Sequence, residues 1–127
     1  MESLSMTAPV QILVVDDSLL ARMMLKKLIV KLRPAWQICE ARDGRDALEK
    51  VAGRRPDVGL IDYNMPGMNG LDLALRLRQL FPGIVLALIT ANIQDYLVRE
   101  ARASSVEFIS KPIEEEKISV FFDSVEK

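Results

Sequence analysis

At 127 residues, half of them hydrophobic, the chain has room for one compact domain with a core of its own and is too apolar for a disordered tail. Seventeen basic residues stand against eighteen acidic ones, and the formal net charge of −1 sets up no field toward nucleic acid or anionic lipid, so any partner is recognised locally. The lone cysteine, Cys39, excludes an internal disulfide, and without histidine the usual zinc, haem and Ser-His-Asp chemistries lack a required group.

Residues 1–9 are polar, with no basic patch ahead of an apolar stretch, and are expected to form a flexible segment before a single domain over 10–127. The longest apolar run, Ile84 to Ile89, is far below the roughly 20 residues of a membrane-spanning helix. A reduced, cytoplasmic setting is expected. Ile12 to Val15 make an apolar run without alternation that stops at Asp16, as in a strand covered on both faces. Ser18 caps a first helix over 19–32, whose basic residues Arg22, Lys26, Lys27, Lys31 and Arg33 leave a wide apolar face before Pro34. Leu19, Met23 and Met24 on that face suit the core more than a partner groove, but the face is wide enough that both readings stay open.

Trp36, Ile38 and Glu40 alternate with Gln37, Cys39 and Ala41, a mixed pattern that suits an edge strand. Asp43-Gly44 leads into a short helix with Ala47, Leu48, Val51 and Ala52 on one face, stopped by Gly53 and Pro56. Val58 to Ile61 form a third strand ending at Asp62, and a loop from Asn64 to Gly70 opens a third helix with Asp72, Arg76 and Gln79 on its wet side. Phe81-Pro82-Gly83 breaks that helix. Ile84 to Ile89 then read as an interior strand ending at Thr90. Ile93, Leu97 and Ala101 share a face of a fourth helix, and Val106 to Ile109 form a last strand closed by Ser110-Lys111-Pro112. In a fifth helix Ile118, Phe121, Phe122 and Val125 fall on one face, with Glu114, Glu115 and Glu116 in the first turn. Five strand-then-helix repeats predict an α/β fold, a parallel sheet with helices on both faces.

In such sheets ligands bind beyond the carboxyl ends of the strands. Asp16-Asp17, Asp62, Thr90 and Lys111 all fall at those ends. Clustered carboxylates repel one another, so a cation is expected among them, and an oxygen-only set with room for water suits magnesium. Magnesium completes its shell with phosphate oxygens, to which Lys111 offers charge and Thr90 a hydroxyl, so the edge is suited to phosphoryl transfer. Asp62, alone at the end of an interior strand, is the candidate nucleophile, while Asp16 and Asp17 gather metal, pointing to opposite sides if the strand persists through them.

Val14-Val15-Asp16-Asp17-Ser18, Asp62-Tyr63-Asn64-Met65-Pro66-Gly67-Met68-Asn69-Gly70, Thr90-Ala91 and Lys111-Pro112, in this order and spacing, resemble the receiver domain of two-component response regulators, in the layout of stand-alone CheY-like proteins. The resemblance covers roughly residues 10–126. It implies a flavodoxin-like three-layer sandwich of strand order 2-1-3-4-5. It also implies that Asp62 accepts a phosphoryl group from a histidine kinase or phosphotransfer protein, with Asp17, Asp62 and the Asn64 carbonyl on magnesium and Asp16 acting through a bound water. Thr90 and Lys111 would then engage the phosphoryl group, and Phe108 would swing into the space that Thr90 vacates. The implied partners are that phosphodonor beside helix one and a downstream output protein or domain on helix four, strand five and helix five, with a homodimer left open.

The chain departs from the family pattern at Ser104-Ser105, where Gly-Ala is frequent, and at Phe108, which lacks the hydroxyl of the frequent tyrosine. Asn64 and Asn92 occupy the positions two beyond Asp62 and Thr90 that the resemblance ties to phosphoryl lifetime, and neither is a strong base. An aspartyl-phosphate phosphohydrolase is the rival reading. It needs an acid two residues after its nucleophile, where this chain has Asn64, so a regulatory phosphoacceptor with at most slow self-phosphorylation and autodephosphorylation is expected instead. A receiver fragment of a larger hybrid kinase or multidomain regulator fits the same residues.

Overall fold

The computed structural model describes residues 8–91 and 94–126. Almost all of the expected N-terminal segment, together with Asn92 and Ile93, therefore lies outside the described residues. Strands β1 (Gln11–Val15), β2 (Gln37–Ala41), β3 (Val58–Asp62), β4 (Val85–Thr90) and β5 (Val106–Ser110) alternate with helices α1 (Leu19–Leu32), α2 (Gly44–Val51), α3 (Gly70–Leu80), α4 (Asp95–Ala103) and α5 (Glu115–Val125). All strand pairs are parallel, in the order β2-β1-β3-β4-β5, as the resemblance implies.

Alternation along the strands sorts their side chains into two cores. Leu13, Val15, Ile61, Leu86 and Leu88 meet Ala47 and Val51 of α2, Leu73 and Leu77 of α3 and Leu97 of α4. On the opposite face Ile12, Val14, Leu60, Ala87 and Ile89 meet Leu25 and Ile29 of α1 and Ile118, Phe121 and Phe122 of α5. Burial on both faces explains the unalternated apolar runs of β1, β3 and β4. Edge strand β2 carries the mixed pattern, and β5 forms the opposite edge.

Several local expectations are corrected. Leu19, Met23 and Met24 are 61%, 56% and 48% exposed, because α1 meets the sheet along a narrower stripe, buried Leu25 and Ile29 flanked by half-buried Leu28 and Leu32. Ala52 is the exposed C-cap residue of α2 and leaves that helix's apolar face at Val51. Trp36 precedes β2, Ile84 is buried just ahead of β4, and Glu114 is the N-cap residue of α5, not part of its first turn. No described helix is long and apolar enough to cross a membrane.

Arg33 ties α5 to the corner between α1 and β2. Its guanidinium lies 5.8 Å from the ring centres of both Trp36 and Phe122 and pairs with Asp123 at 2.7 Å and Glu126 at 2.9 Å.

Candidate functional site

Each strand end is held by one hydrogen bond that continues the sheet: Asp16 N–H donates to Ala41 O at 3.1 Å, Tyr63 N–H to Ile89 O at 3.0 Å and Lys111 N–H to Thr90 O at 3.0 Å. The residues that follow therefore leave the sheet at one edge, the carboxyl ends of β1, β3, β4 and β5. There one carboxylate oxygen each of Asp16, Asp17 and Asp62 lies within 4.8 Å of the others. Regular structure in β1 stops at Val15, so both acids of the pair join the cluster and do not part to opposite sides. Asp17 is exposed, whereas Asp16 and Asp62 are buried.

Ser18 turns the chain into α1 by accepting from Ala21 N–H, and its own N–H donates to Asp16 Oδ1 at 2.9 Å. Arg22, one of the basic residues read as the wet side of α1, points back instead and donates from Nη1 to Asp16 O at 2.6 Å. After β3 the chain returns through a loop in which Gly70 N–H donates to Tyr63 O at 2.9 Å, bringing the start of α3 against the Asp62 backbone. A Cβ at Gly70 would stand 2.7 Å from Tyr63 Cα, so only glycine fits this close approach. Asn64 is exposed in that loop, and Thr90 is fully buried at the end of β4.

Lys111, on a cis bond to Pro112, reaches over the edge and sets its ammonium 3.0 Å from Asp62 Oδ1. The approach is that of an ion pair and not of an aligned hydrogen bond: this buried oxygen accepts no hydrogen bond among the described residues. Burial raises the Asp62 carboxyl above its ordinary range; Lys111 draws it back down, and Asp16 and Asp17 push it further up. Burial likewise raises Asp16, against the Ser18 N–H and the more distant charges of Lys111 and Arg22. The edge is thus a half-neutralised nest of acids whose innermost oxygen is unsatisfied. Its donors are all oxygen, so the residues present fit a hard divalent cation such as magnesium.

Asp16, Asp17, Asp62 and Lys111 come together as expected, and Thr90 ends the strand beside Asp62. Phe108 lies farther along β5, in register with Leu88 and half-buried. It lines a groove of about 680 Å³ between β5 and α5, together with Val120 and Phe121. Arg22 and Gly70 were not legible as parts of the site. A basic residue in the second turn of a capped helix, and a glycine that opens a helix at the end of the loop after a strand-end acid, were the only signals available.

The family model described as response regulator receiver domain matches residues 12–122. A protein-glutamate methylesterase/protein-glutamine glutaminase of Pyrococcus horikoshii is 41% identical over 107 residues, covering 81% of this chain, which spans only 28% of that protein. Chemotaxis protein CheY of Thermotoga maritima is 34% identical over 119 residues, 92% of this chain and 98% of that protein. Among solved structures, chemotaxis protein CheY4 of Vibrio cholerae superposes with a TM-score of 0.83 at 26% identity, over 93% of this chain and 99% of that one.

Proposed function

The chain belongs to the response regulator receiver domain family, whose members are regulatory parts of two-component signalling, and on that premise we propose that it is a phosphoacceptor switch with Asp62 as the acceptor. The domain runs over residues 10–127. Its phosphodonor is a histidine kinase or a histidine phosphotransfer protein, and its product is a changed surface on α4, β5 and α5 that controls an output partner.

A carboxylate oxygen of Asp62 forms the new bond to phosphorus as the bond between phosphorus and the donor nitrogen breaks, giving an aspartyl phosphate. The attack needs the ionised carboxylate, which burial disfavours and the ammonium of Lys111, 3.0 Å from Oδ1, favours. As the phosphoryl group arrives, Lys111 pairs with its oxygens and the Thr90 hydroxyl turns to donate to it. Asp17, Asp62 and the Asn64 carbonyl would hold magnesium, with Asp16 acting through a bound water; when bound, the ion neutralises phosphoryl oxygens and offsets the repulsion among the acids. Turning Thr90 leaves space at the end of β4 into which Phe108 moves. Lacking a hydroxyl, Phe108 changes only packing and burial, and it reshapes the groove it lines with Val120 and Phe121.

The observation that carries this reading is the convergence of three carboxylates within 4.8 Å beside a lysine 3.0 Å from the innermost one. The test is incubation of the protein with acetyl phosphate and magnesium, read by intact mass. One acid-labile phosphoryl group is expected on the parent and none on Asp62→Asn. Labelling that persists in the variant overturns the assignment.

A further inference from the structure

We propose that Arg22 is a positioning residue for divalent-cation binding: its guanidinium fixes the Asp16–Asp17 peptide and thereby the direction of the Asp17 carboxylate. The inference rests on the reading of the acid cluster as a cation site.

Asp17 is exposed, and its carboxylate makes no hydrogen bond among the described residues, so its direction is inherited from the peptide that precedes it. That peptide carries the Asp16 carbonyl, which accepts from Arg22 Nη1 at 2.6 Å. Two more polar groups of Asp16 are engaged, its N–H by Ala41 O at 3.1 Å and its Oδ1 by Ser18 N–H at 2.9 Å. Arg22 is itself anchored. Its Nε donates to Glu40 Oε1 at 3.2 Å, and Glu40 Oε2 is held by Lys26 at 2.8 Å. With its side chain only 15% exposed, the guanidinium is a rigid bracket between edge strand β2 and the turn that carries the acid pair. The planar fork makes both contacts at once. An ammonium in the same place would reach either Asp16 O or Glu40, and not both along fixed directions.

A positioning role and a purely electrostatic one have opposite signs. Arg22 is a cation near a cation site, so deleting its charge alone tightens binding of a dication, whereas deleting a group that orients a ligand weakens it, by about tenfold where outer-shell partners of metal ligands have been removed. A merely structural residue would lower the melting temperature and leave the affinity alone.

The experiment is calorimetric titration of the full chain with magnesium chloride, for the parent, Arg22→Met, Arg22→Lys and Asp17→Asn, each checked by circular dichroism. About tenfold weaker binding by Arg22→Met and an intermediate loss for Arg22→Lys are expected. Parental or tighter affinity in Arg22→Met, with binding lost in Asp17→Asn, overturns the role of Arg22 and leaves the cation site standing. A parent that binds no magnesium, or Asp17→Asn that binds as the parent does, overturns the cation site and this inference with it. If Arg22→Met does not fold, Arg22→Lys decides: intermediate affinity supports the role and parental affinity overturns it.

Discussion

Replacing Gly70 by alanine tests how tightly the fold holds Asp62, the proposed acceptor. The added Cβ would run into the carbonyl oxygen of Asp62 and stand 2.7 Å from Tyr63 Cα and 2.9 Å from the Asp62 carbonyl carbon. All of these are backbone atoms, so no rotamer change relieves the contact. Carbon atoms in ordinary contact sit about 3.5–4.0 Å apart, so α3 or the Asp62–Tyr63 segment has to move by about 1 Å. That segment is pinned to β4 by the Tyr63 N–H to Ile89 O bond of 3.0 Å. Overpacking costs about 1–3 kcal/mol, and a wholly backbone collision belongs near the top of that range. At about 4 °C per kcal/mol for a domain of this size, the melting temperature falls by about 12 °C. The same shift moves the Asp62 carboxylate relative to Lys111, now 3.0 Å away, so phosphoryl uptake from acetyl phosphate slows even where the variant is fully folded. The assay pairs thermal unfolding by circular dichroism with the initial labelling rate. Gly83→Ala is the control, since a Cβ there meets nothing within 4 Å and the backbone is not left-handed; it should stay within about 0.5 kcal/mol of the parent. Stability within the same margin for Gly70→Ala, at an unchanged labelling rate, would refute the packing argument.

Two further outcomes follow from the strain and charge of the fold. Ser105 holds a φ of +58°, which costs a side-chain-bearing residue roughly 1–2 kcal/mol; glycine removes that cost and gives back part through its freer unfolded chain, so Ser105→Gly should gain about 0.5–1 kcal/mol in urea unfolding, and a loss would show the turn to be unstrained. Asp16 and Asp62 titrate above 3.8 in the folded protein, so the folded state takes up protons before the unfolded one, and their penalty is full above the folded values and relieved as pH falls toward 3.8. Glu40 and Asp46 are shifted the other way, Glu40 first by the Lys26 ammonium and Asp46 first by the Arg42 N–H, so their stabilisation is lost only at lower pH. In chelator the melting temperature should therefore rise on mild acidification before it collapses, and Asp16→Asn/Asp62→Asn should flatten the rise; a rise of the same size in the double variant would assign it to other groups.

What the sequence disclosed and what it hid have separate physical causes. The strands of the interior were legible because burial on both faces leaves no alternation, and β2 stood out as an edge because Glu40 and Gln37 interrupt its apolar residues. The candidate site was legible because it lies where those apolar runs stop, at Asp16, Asp62 and Thr90. The face of α1 stayed open between core and exposed contact, since composition tells how many apolar residues a helix carries and not how wide a stripe the sheet can cover. Leu19, Met23 and Met24 had no signature separating them from Leu25 and Ile29. The roles of Arg22 and of Gly70, which was read only as the end of the loop motif, were hidden for a related reason: each acts at a backbone atom of another element, Asp16 O and the Asp62 carbonyl, and backbone partners leave no mark in a sequence.

Asp16, Asp62 and Thr90 are the buried polar residues among those described, and all three sit at the same edge. The fold thus concentrates its desolvation cost in one place, where Lys111 alone supplies a nearby cationic group in contact with Asp62 and leaves Oδ1 without an aligned donor. A well-packed apolar edge would be more stable. An edge left in deficit instead couples occupancy to folding, because whatever binds the native acids and not the unfolded chain stabilises by the logarithm of its saturation, about 2.7 kcal/mol at a hundred times its dissociation constant. That gain is available only in arrangements that keep the carboxylates together, so under the proposed function arrival of a cation or a phosphoryl group would select among conformations of the loops that carry them. The loop from Asn64 to Gly70, pressed against the Asp62 backbone, and β5, with Phe108 in its middle and Lys111 just past its end, are the elements through which such a selection would reach the surface.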